Sequence, residues 1–248
     1  MKLYTKTGDR GTTSLYNGTR LIKSSVYFHL LGDLDELNAH IGMSKSLWKE
    51  CIDKSGVKLY SAPGTGNGIY RTEKSVDTKR YYEFYDPDVL TEIQCILMDI
   101  SSFIATPPWD EQKPIKGDID IFIDKWISKI KFNENHIESI EQFIDRLDLL
   151  VEPITNFVVP GNNVLVSSIH ICRTVARRCE RLYIEFINSD LVYYGIYDAV
   201  DNEFKKVQMY LNRLSDMFFA LGRFLAMSLE VTEECYSKQR KLFPVFLK

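Results

Sequence analysis

Residues 163–187, NVLVSSIHICRTVARRCERLYIEFI, decide the fold of this 248-residue chain. At 100° per residue, Ile169, Cys172, Ala176, Cys179, Tyr183 and Phe186 advance by three and four. They make one narrow apolar seam, the mark of a helix buried on one side. Arg173, Arg177 and Arg181 recur every fourth residue and form a second stripe beside the seam, over roughly 12 Å of helix. Glu180 lies at the edge of the stripe and His170 on the same side, while Arg178 points about 100° away from Arg177. Two readings stand side by side. Like charges at this spacing repel by only a few tenths of a kcal/mol, so a solvated basic face is tolerable. Alternatively the stripe is an anion cradle, because guanidinium forks match phosphate oxygens. In that case Glu180, three residues beyond Arg177, pairs with it and preorganises it.

A second long helix is predicted from about Asn202 to Leu229, with Leu211, Leu214, Phe218, Leu221 and Leu225 as its seam. Asn212 and Asp216 share a polar flank, with Arg213 beyond. If the two helices pack antiparallel, Asp216 is placed to accept from an arginine of the first. That contact serves a structural ion pair as well as a site. Upstream, Asp33 and Glu36 read as a capping box opening a helix to about residue 49, with Leu34, Leu37, Ile41 and Trp48 on its face. Pro87 suits the first turn of a helix running to about Ala105. Its apolar face is Leu90, Ile93, Leu97, Ile100 and Ile104. A further helix runs from about Glu134 to Leu150 and Pro153 ends it. Five helices without a convincing sheet predict an all-α, five-helix up-down bundle.

The remaining segments are connectors. Residues 1–31 look extended and turn-rich. Residues 51–86, with Ser61-Ala62-Pro63-Gly64-Thr65-Gly66-Asn67-Gly68, hold no helical period and read as an inserted, mobile surface loop. Residues 109–133 stay ambiguous between a short helix and a strand over Asp120–Ile130. Phe157 to Gly161 form a short apolar connector. The whole chain, 1–248, reads as one domain.

Composition narrows the function. There are 31 Lys+Arg against 34 Asp+Glu, a net charge of −3, which excludes a basic polyanion-binding tail and an acidic disordered chain. Hydrophobic residues make up 45% of the chain, enough for a sizeable core without staples. The five cysteines contain no Cys-x-x-Cys and the four histidines no metal-ligand spacing, so neither a disulfide framework nor a zinc site is expected, and no residue is assigned to a metal. No apolar run approaches the ~18 residues of a membrane span, and the start lacks the apolar core of a signal peptide. A reducing, intracellular location is expected.

The N-terminal stretch Thr5-Lys6-Thr7-Gly8-Asp9-Arg10-Gly11-Thr12-Thr13-Ser14 mixes hydroxyls, glycines and cations, with Lys23 close behind. Glycines let backbone N–H groups approach an anion and hydroxyls add donors. It is no P-loop, since Gly-x-x-x-x-Gly-Lys-Ser/Thr is absent. Taken alone the stretch is weak evidence, and a plain polar hairpin is its simpler account.

Taken together, four separated segments resemble the PduO-type ATP:cob(I)alamin adenosyltransferases. They are Tyr4 to Gly11; Gly32-Asp33-Leu34-Asp35-Glu36-Leu37-Asn38 with Ile41-Gly42; Phe157-Val158-Val159-Pro160-Gly161 leading to His170-x-x-Arg173-x-x-x-Arg177-Arg178-x-Glu180-Arg181; and Tyr210-Leu211-Asn212-Arg213-Leu214-Ser215-Asp216. One departure is Asn162, where the family has the second glycine of Pro-Gly-Gly.

The resemblance implies a five-helix bundle assembled as a homotrimer, with active sites between subunits. It implies transfer of the 5′-deoxyadenosyl group of ATP to cob(I)alamin, giving adenosylcobalamin and triphosphate. Thr5, Lys6, Thr7, Gly8, Thr13, Ser14 and Lys23 would wrap ATP from one subunit. Arg177, Arg178, Glu180 and Arg181, with Asn212 and Asp216, would meet it from the bundle, with Mg²⁺ as the metal partner of ATP. Asp35 and Arg173 match an intersubunit salt bridge. Phe157 matches the aromatic residue that displaces the lower axial ligand of cobalamin. Expected partners are a reductase acting on cob(II)alamin and a cobalamin-dependent mutase; no nucleic acid or membrane is expected. The location implied is cytoplasmic, or the mitochondrial matrix after leader removal. The competing reading is a structural or anion-binding helical trimer that uses the arginine stripe without turnover.

Overall fold

The computed structural model describes residues 4, 6–55, 60–61, 69–71, 83–85, 87–107, 132–191 and 197–236. Five α-helices dominate them: α1 Val26–Ser55, α2 Val89–Ile104, α3 Glu134–Asp148, α4 Val164–Phe186 and α5 Tyr197–Ser228. The strands are two or three residues long. Thr12–Ser14 (β1) pairs with Arg20–Ile22 (β2). Tyr60–Ser61 (β3), Ile69–Arg71 (β4) and Glu83–Tyr85 (β5) form an antiparallel set in chain order. Val158–Val159 (β6) pairs antiparallel with Glu234–Cys235 (β7).

Polar contacts fix the helix directions. Asn38 of α1 exchanges side chain-to-backbone bonds with Gln94 of α2, and Lys45 reaches Asp88 just ahead of α2, so α1 and α2 are antiparallel. Arg178 bonds Asp33 while Ser168 bonds Ser44, which makes α4 antiparallel to α1. Glu180 meets Asn212 and Tyr183 meets Phe204, so α5 is antiparallel to α4. Glu134 pairs with Lys206 and Glu141 with Arg213, which sets α3 parallel to α5. Helices consecutive in the chain therefore alternate in direction, as an up-down bundle requires. Laterally the order is α2, α1, α4, α5, α3.

The core lies along the seams. Ile169, Cys172, Ala176, Cys179, Tyr183 and Phe186 of α4 are fully buried, as are Leu211, Leu214, Phe218, Leu221 and Leu225 of α5. The Tyr27 and Phe186 rings meet edge-on at 4.9 Å, the T-shaped geometry that aromatic quadrupoles favour. Asn163 caps α4, its Oδ1 accepting from the N–H groups of Leu165 (2.8 Å) and Val166 (3.3 Å).

The structure corrects several boundaries. α1 begins at Val26, not at Asp33. Tyr27 and Leu30 extend the buried series Leu34, Leu37, Ile41 one full turn and more upstream. Asp33 and Glu36, spaced like a capping box, instead hold the Arg178 guanidinium from mid-helix. The same helix runs on to Ser55, past the predicted end at residue 49, and α5 starts at Tyr197, five residues early. Within 51–86 the described residues are helical to Ser55 and then contribute β3–β5; the rest lies outside the described residues. So does nearly all of 109–133, apart from buried Phe132 and Asn133, the N-cap of α3. The Phe157–Gly161 connector contains β6, which closes on the residues following α5.

Candidate functional site

The arginines of α4 divide into two kinds. Arg178 turns toward α1, where Asp33 and Glu36 hold it and its guanidinium is made still harder to deprotonate. Arg173, Arg177 and Arg181 have no carboxylate partner among the described residues. Arg177 and Arg181 are exposed, and Arg181 Nη1 donates to the Arg177 carbonyl at 3.1 Å. Arg173 is half-buried, and its Nε is enclosed without a hydrogen-bond partner. Burial, and then the neighbouring Arg177 charge, push its pKa down.

Glu180 does not pair with Arg177. It accepts from Asn212 Nδ2 at 2.9 Å, Asn212 Oδ1 accepts from Arg213 Nη1 at 2.7 Å, and Arg213 Nε donates to Glu141 at 2.9 Å. This relay ties α4, α5 and α3 together and holds Glu180 and Asn212 in place beside the stripe. By the same register Asp216 falls one turn further along α5, level with the Arg173–Arg177 turn. It is exposed and forms no ion pair with an α4 arginine, so the expected contact is absent in this single chain. Asp35, exposed on α1, likewise makes no bridge to Arg173 within the chain.

Phe157 and Arg173 come together. They line one cavity of about 1090 Å³ with Ile154, Phe219, Cys235 and Tyr236. Phe157 is 83% exposed, so it is not a core residue. Behind Arg173 lies His170, which is 4% exposed with Nδ1 unpartnered. Burial first, then the Arg173 charge, bring its pKa to about 4, so the ring is neutral at physiological pH. Its ring packs against Phe219, with centroids 6.1 Å apart. It also lies against Gly222, where a Cβ would come within 3.3 Å of the ring.

The N-terminal segment is held elsewhere. Tyr16 N–H donates to the Ala105 carbonyl and Asn17 Nδ2 to the Pro107 carbonyl, docking the β1–β2 hairpin on the end of α2. Lys6 stands at φ 60° and Gly11 at φ 80°, so the chain here turns through the left-handed region. Lys23 folds back, its N–H donating to the Gly11 carbonyl at 2.9 Å and its Nζ lying against Gly8. Thr7, Thr13 and Ser14 lie in this fold, while Thr5 lies outside the described residues. Sequence reasoning missed Arg20, whose Nη2 donates to Thr12 Oγ1 (2.7 Å) and to the Thr7 carbonyl (2.9 Å) and so shapes the loop. The Asn17-Gly18 turn, which folds Arg20 back opposite Ser14, was the available signal. Phe219 and Tyr236 were also missed: Phe219 lies beside the α5 seam, and Tyr236 follows the last predicted element.

Comparison with known proteins gives a consistent answer. The pattern of the cobalamin adenosyltransferase family matches residues 3–63 and 72–225. The chain is 30% identical over 237 residues to the corrinoid adenosyltransferase MMAB of Homo sapiens, spanning 96% of this chain and 74% of that protein. It is 30% identical over 223 residues to the corrinoid adenosyltransferase of Bacillus subtilis, spanning 90% and 86%. A phenylalanine-to-alanine variant of the PduO-type ATP:corrinoid adenosyltransferase from Lactobacillus reuteri has been solved with cobalamin and ATP. It superposes with a TM-score of 0.65 at 25% identity, over 95% of this chain and 99% of that one. Bundle, arginine stripe and matched sequence agree: this chain belongs to the cobalamin adenosyltransferase family.

Proposed function

We propose that this protein transfers the 5′-deoxyadenosyl group of ATP to cob(I)alamin, releasing adenosylcobalamin and triphosphate. Family membership and relatives solved with ATP and cobalamin support the reaction. The observation in the molecule that carries it is the shared cavity of Phe157 and Arg173, one helical turn from the exposed Arg177.

The chemistry needs little from the protein beyond binding and orientation. Cobalt(I) of the substrate is the nucleophile. Its electron pair forms the bond to the 5′ carbon as the C5′–O bond breaks, and the departing oxygen carries that bond's electrons onto triphosphate. Negative charge grows on the leaving group, so preorganised cations lower the barrier. Arg177, Arg181 and Lys23 are assigned that task, with Lys6, Thr7, Gly8, Thr13 and Ser14 wrapping the phosphates and Thr5 added by resemblance. Asn212, Glu180 and Asp216 border the nucleotide. Arg178 is assigned an indirect share, since its charge is committed to Asp33 and Glu36.

The exposed ring of Phe157 suits a wedge against the lower corrin face, which favours loss of the lower ligand and eases reduction of cob(II)alamin. Among the described residues no group of three or more His, Cys, Asp or Glu side chains is placed to hold a metal. Mg²⁺ would travel with ATP on its phosphates, the way this ion commonly binds nucleotides.

The hairpin docked on α2 and the stripe on α4 are both open surfaces. A homotrimer in which one subunit's hairpin meets another's stripe, with Asp35 bridging to Arg173, accounts for their separation within the chain. Residues 1–248 act as one unit in this reading. A one-electron reductase would supply cobalt(I) and a cobalamin-dependent mutase would take the product. No described helix is long and apolar enough to cross a membrane, and the free thiols suit a reducing cytosol or mitochondrial matrix.

The test is an anaerobic reaction of ATP with chemically reduced cobalamin, followed through the corrin spectrum. Conversion to adenosylcobalamin is expected. Absence of both product and ATP binding would overturn the assignment in favour of a structural trimer; ATP binding without turnover would favour an anion-binding one.

A further inference from the structure

The chain after α5 does not simply trail away from the bundle. At Glu230 it turns through φ 56°, and β7 then comes back to pair with β6, Val158 opposite Cys235 and Val159 opposite Glu234. Tyr236 N–H donates to the Phe157 carbonyl at 2.7 Å. The residue before the pairing, Glu233, is gripped by Arg223, which is only 7% exposed on α5. Its Nε lies 3.3 and 3.2 Å from the two carboxylate oxygens of Glu233, and Nη2 lies 3.2 Å from one of them. The same Nη2 donates to the Glu152 carbonyl at 2.8 Å, at the start of the segment that leads to Phe157. Arg223 thus joins the segment that leads to Phe157 and β6 with the residue that leads into β7.

A second tie is particular to this sequence. Asn162 stands at φ 66°, in the left-handed region where glycine is cheapest and asparagine the next most tolerated. Its side chain does what glycine could not: Nδ2 donates to the Thr232 carbonyl at 2.9 Å. Cys235 and Tyr236, carried by this strap, form part of the wall of the cavity that holds Phe157 and Arg173.

We infer that residues 230–236 are a built part of the corrinoid site, with the Arg223–Glu233 clamp as its positioning element and Tyr236 as a residue that determines fit to the corrin. This rests on the proposed function, and it assigns to the strap a share of corrinoid recognition and none of nucleotide recognition. The geometry gives the reason. Phe157 is exposed and has little packing of its own to fix it. Its backbone is held by the strap, and a wedge displaced by about an ångström loses its purchase on a planar ligand. Arg223 touches no substrate and acts through Glu233 and the Glu152 carbonyl, so it is a positioning residue.

The experiment compares wild type with Arg223→Lys, Glu233→Gln and Tyr236→Ala. Three quantities are read: the Kd of cob(II)alamin from its spectrum with ATP present, the Kd of ATP, and alkylation of Cys235 with and without cob(II)alamin. In wild type, cob(II)alamin is expected to shield Cys235 from iodoacetamide. In the two clamp variants its Kd should rise at least tenfold and the shielding should fall, while the ATP Kd stays within about twofold. Tyr236→Ala should weaken cob(II)alamin binding while leaving the clamp intact. Where Arg223→Lys fails to fold, Glu233→Gln and Tyr236→Ala, both beyond the end of α5, carry the decision. Unchanged cob(II)alamin affinity in those variants beside a wild type that binds it overturns the strap's role alone. A wild type that binds no cobalamin overturns the proposed function and the strap with it.

Discussion

Acidification should unfold this protein partly through one histidine. His170 is buried behind Arg173 with its ring against Phe219 and Gly222, and its pKa falls from the ordinary 6.5 to about 4. The sign follows from proton counting. Near pH 7 the ring is neutral in both folded and unfolded chains. Below 6.5 the unfolded chain takes up a proton that the folded one refuses, so stability falls with pH until about pH 4. The full loss is about 3 kcal/mol, of which about 2 kcal/mol falls between pH 7 and pH 5. The perturbation is His170→Leu, which removes the titrating group. Urea unfolding of both proteins, followed by far-UV circular dichroism at fixed protein concentration, gives the two stability profiles. The variant's absolute stability is free to shift; the quantity of interest is the slope. Wild type should lose about 2 kcal/mol more than His170→Leu over that interval. Parallel profiles would refute the burial argument, because every other group titrates alike in the two proteins.

Three further outcomes are expected. Arg177→Ala should cut adenosyl transfer by orders of magnitude with little change in unfolding midpoint, since the side chain is exposed and meets no carboxylate among the described residues; near-normal turnover would reject its role. Phe157→Ala should change stability by less than about 0.5 kcal/mol, the ring being 83% exposed, yet impair the cobalt(II)-dependent reaction more than the cobalt(I) one; equal losses would count against the wedge. In the native protein iodoacetamide should modify exposed Cys95 and Cys235 first. Burial holds the Cys172 thiol at about 11 and the Cys179 thiol at about 12, so peptide mass mapping should find both labelled only after unfolding.

What could be read from the sequence followed the length of the pattern. The α4 seam has six positions at helical spacing and all six are buried. The five-helix reading rested on seams of this kind, and it holds. The start of α1 was misread because Asp33 and Glu36 carry a capping signature, and a local signal cannot reveal that Arg178, far along the chain, uses both carboxylates. Glu180 was given to Arg177 for the same reason: helical neighbours are visible in sequence, whereas Asn212 on α5 competes for the carboxylate only after packing. The strap was missed entirely. Two-residue strands leave no period, and the Arg223–Glu233 contact looks like an incidental pair of charges until Glu233 is seen to lead into the β6–β7 pairing.

The division among the arginines has a consequence for the energy landscape. Arg178, Arg213 and Arg223 each end against a carboxylate, so folding resolves their charges. Arg173, Arg177 and Arg181 meet no carboxylate among the described residues and stand together on a single stripe, a patch of local frustration that the native state tolerates. A polyanion seated there removes the conflict in the folded chain and has no such stripe to bind once the helix is lost. The stripe's own repulsion then becomes a reserve that nucleotide binding releases, and it should appear as added resistance to unfolding as ATP is raised.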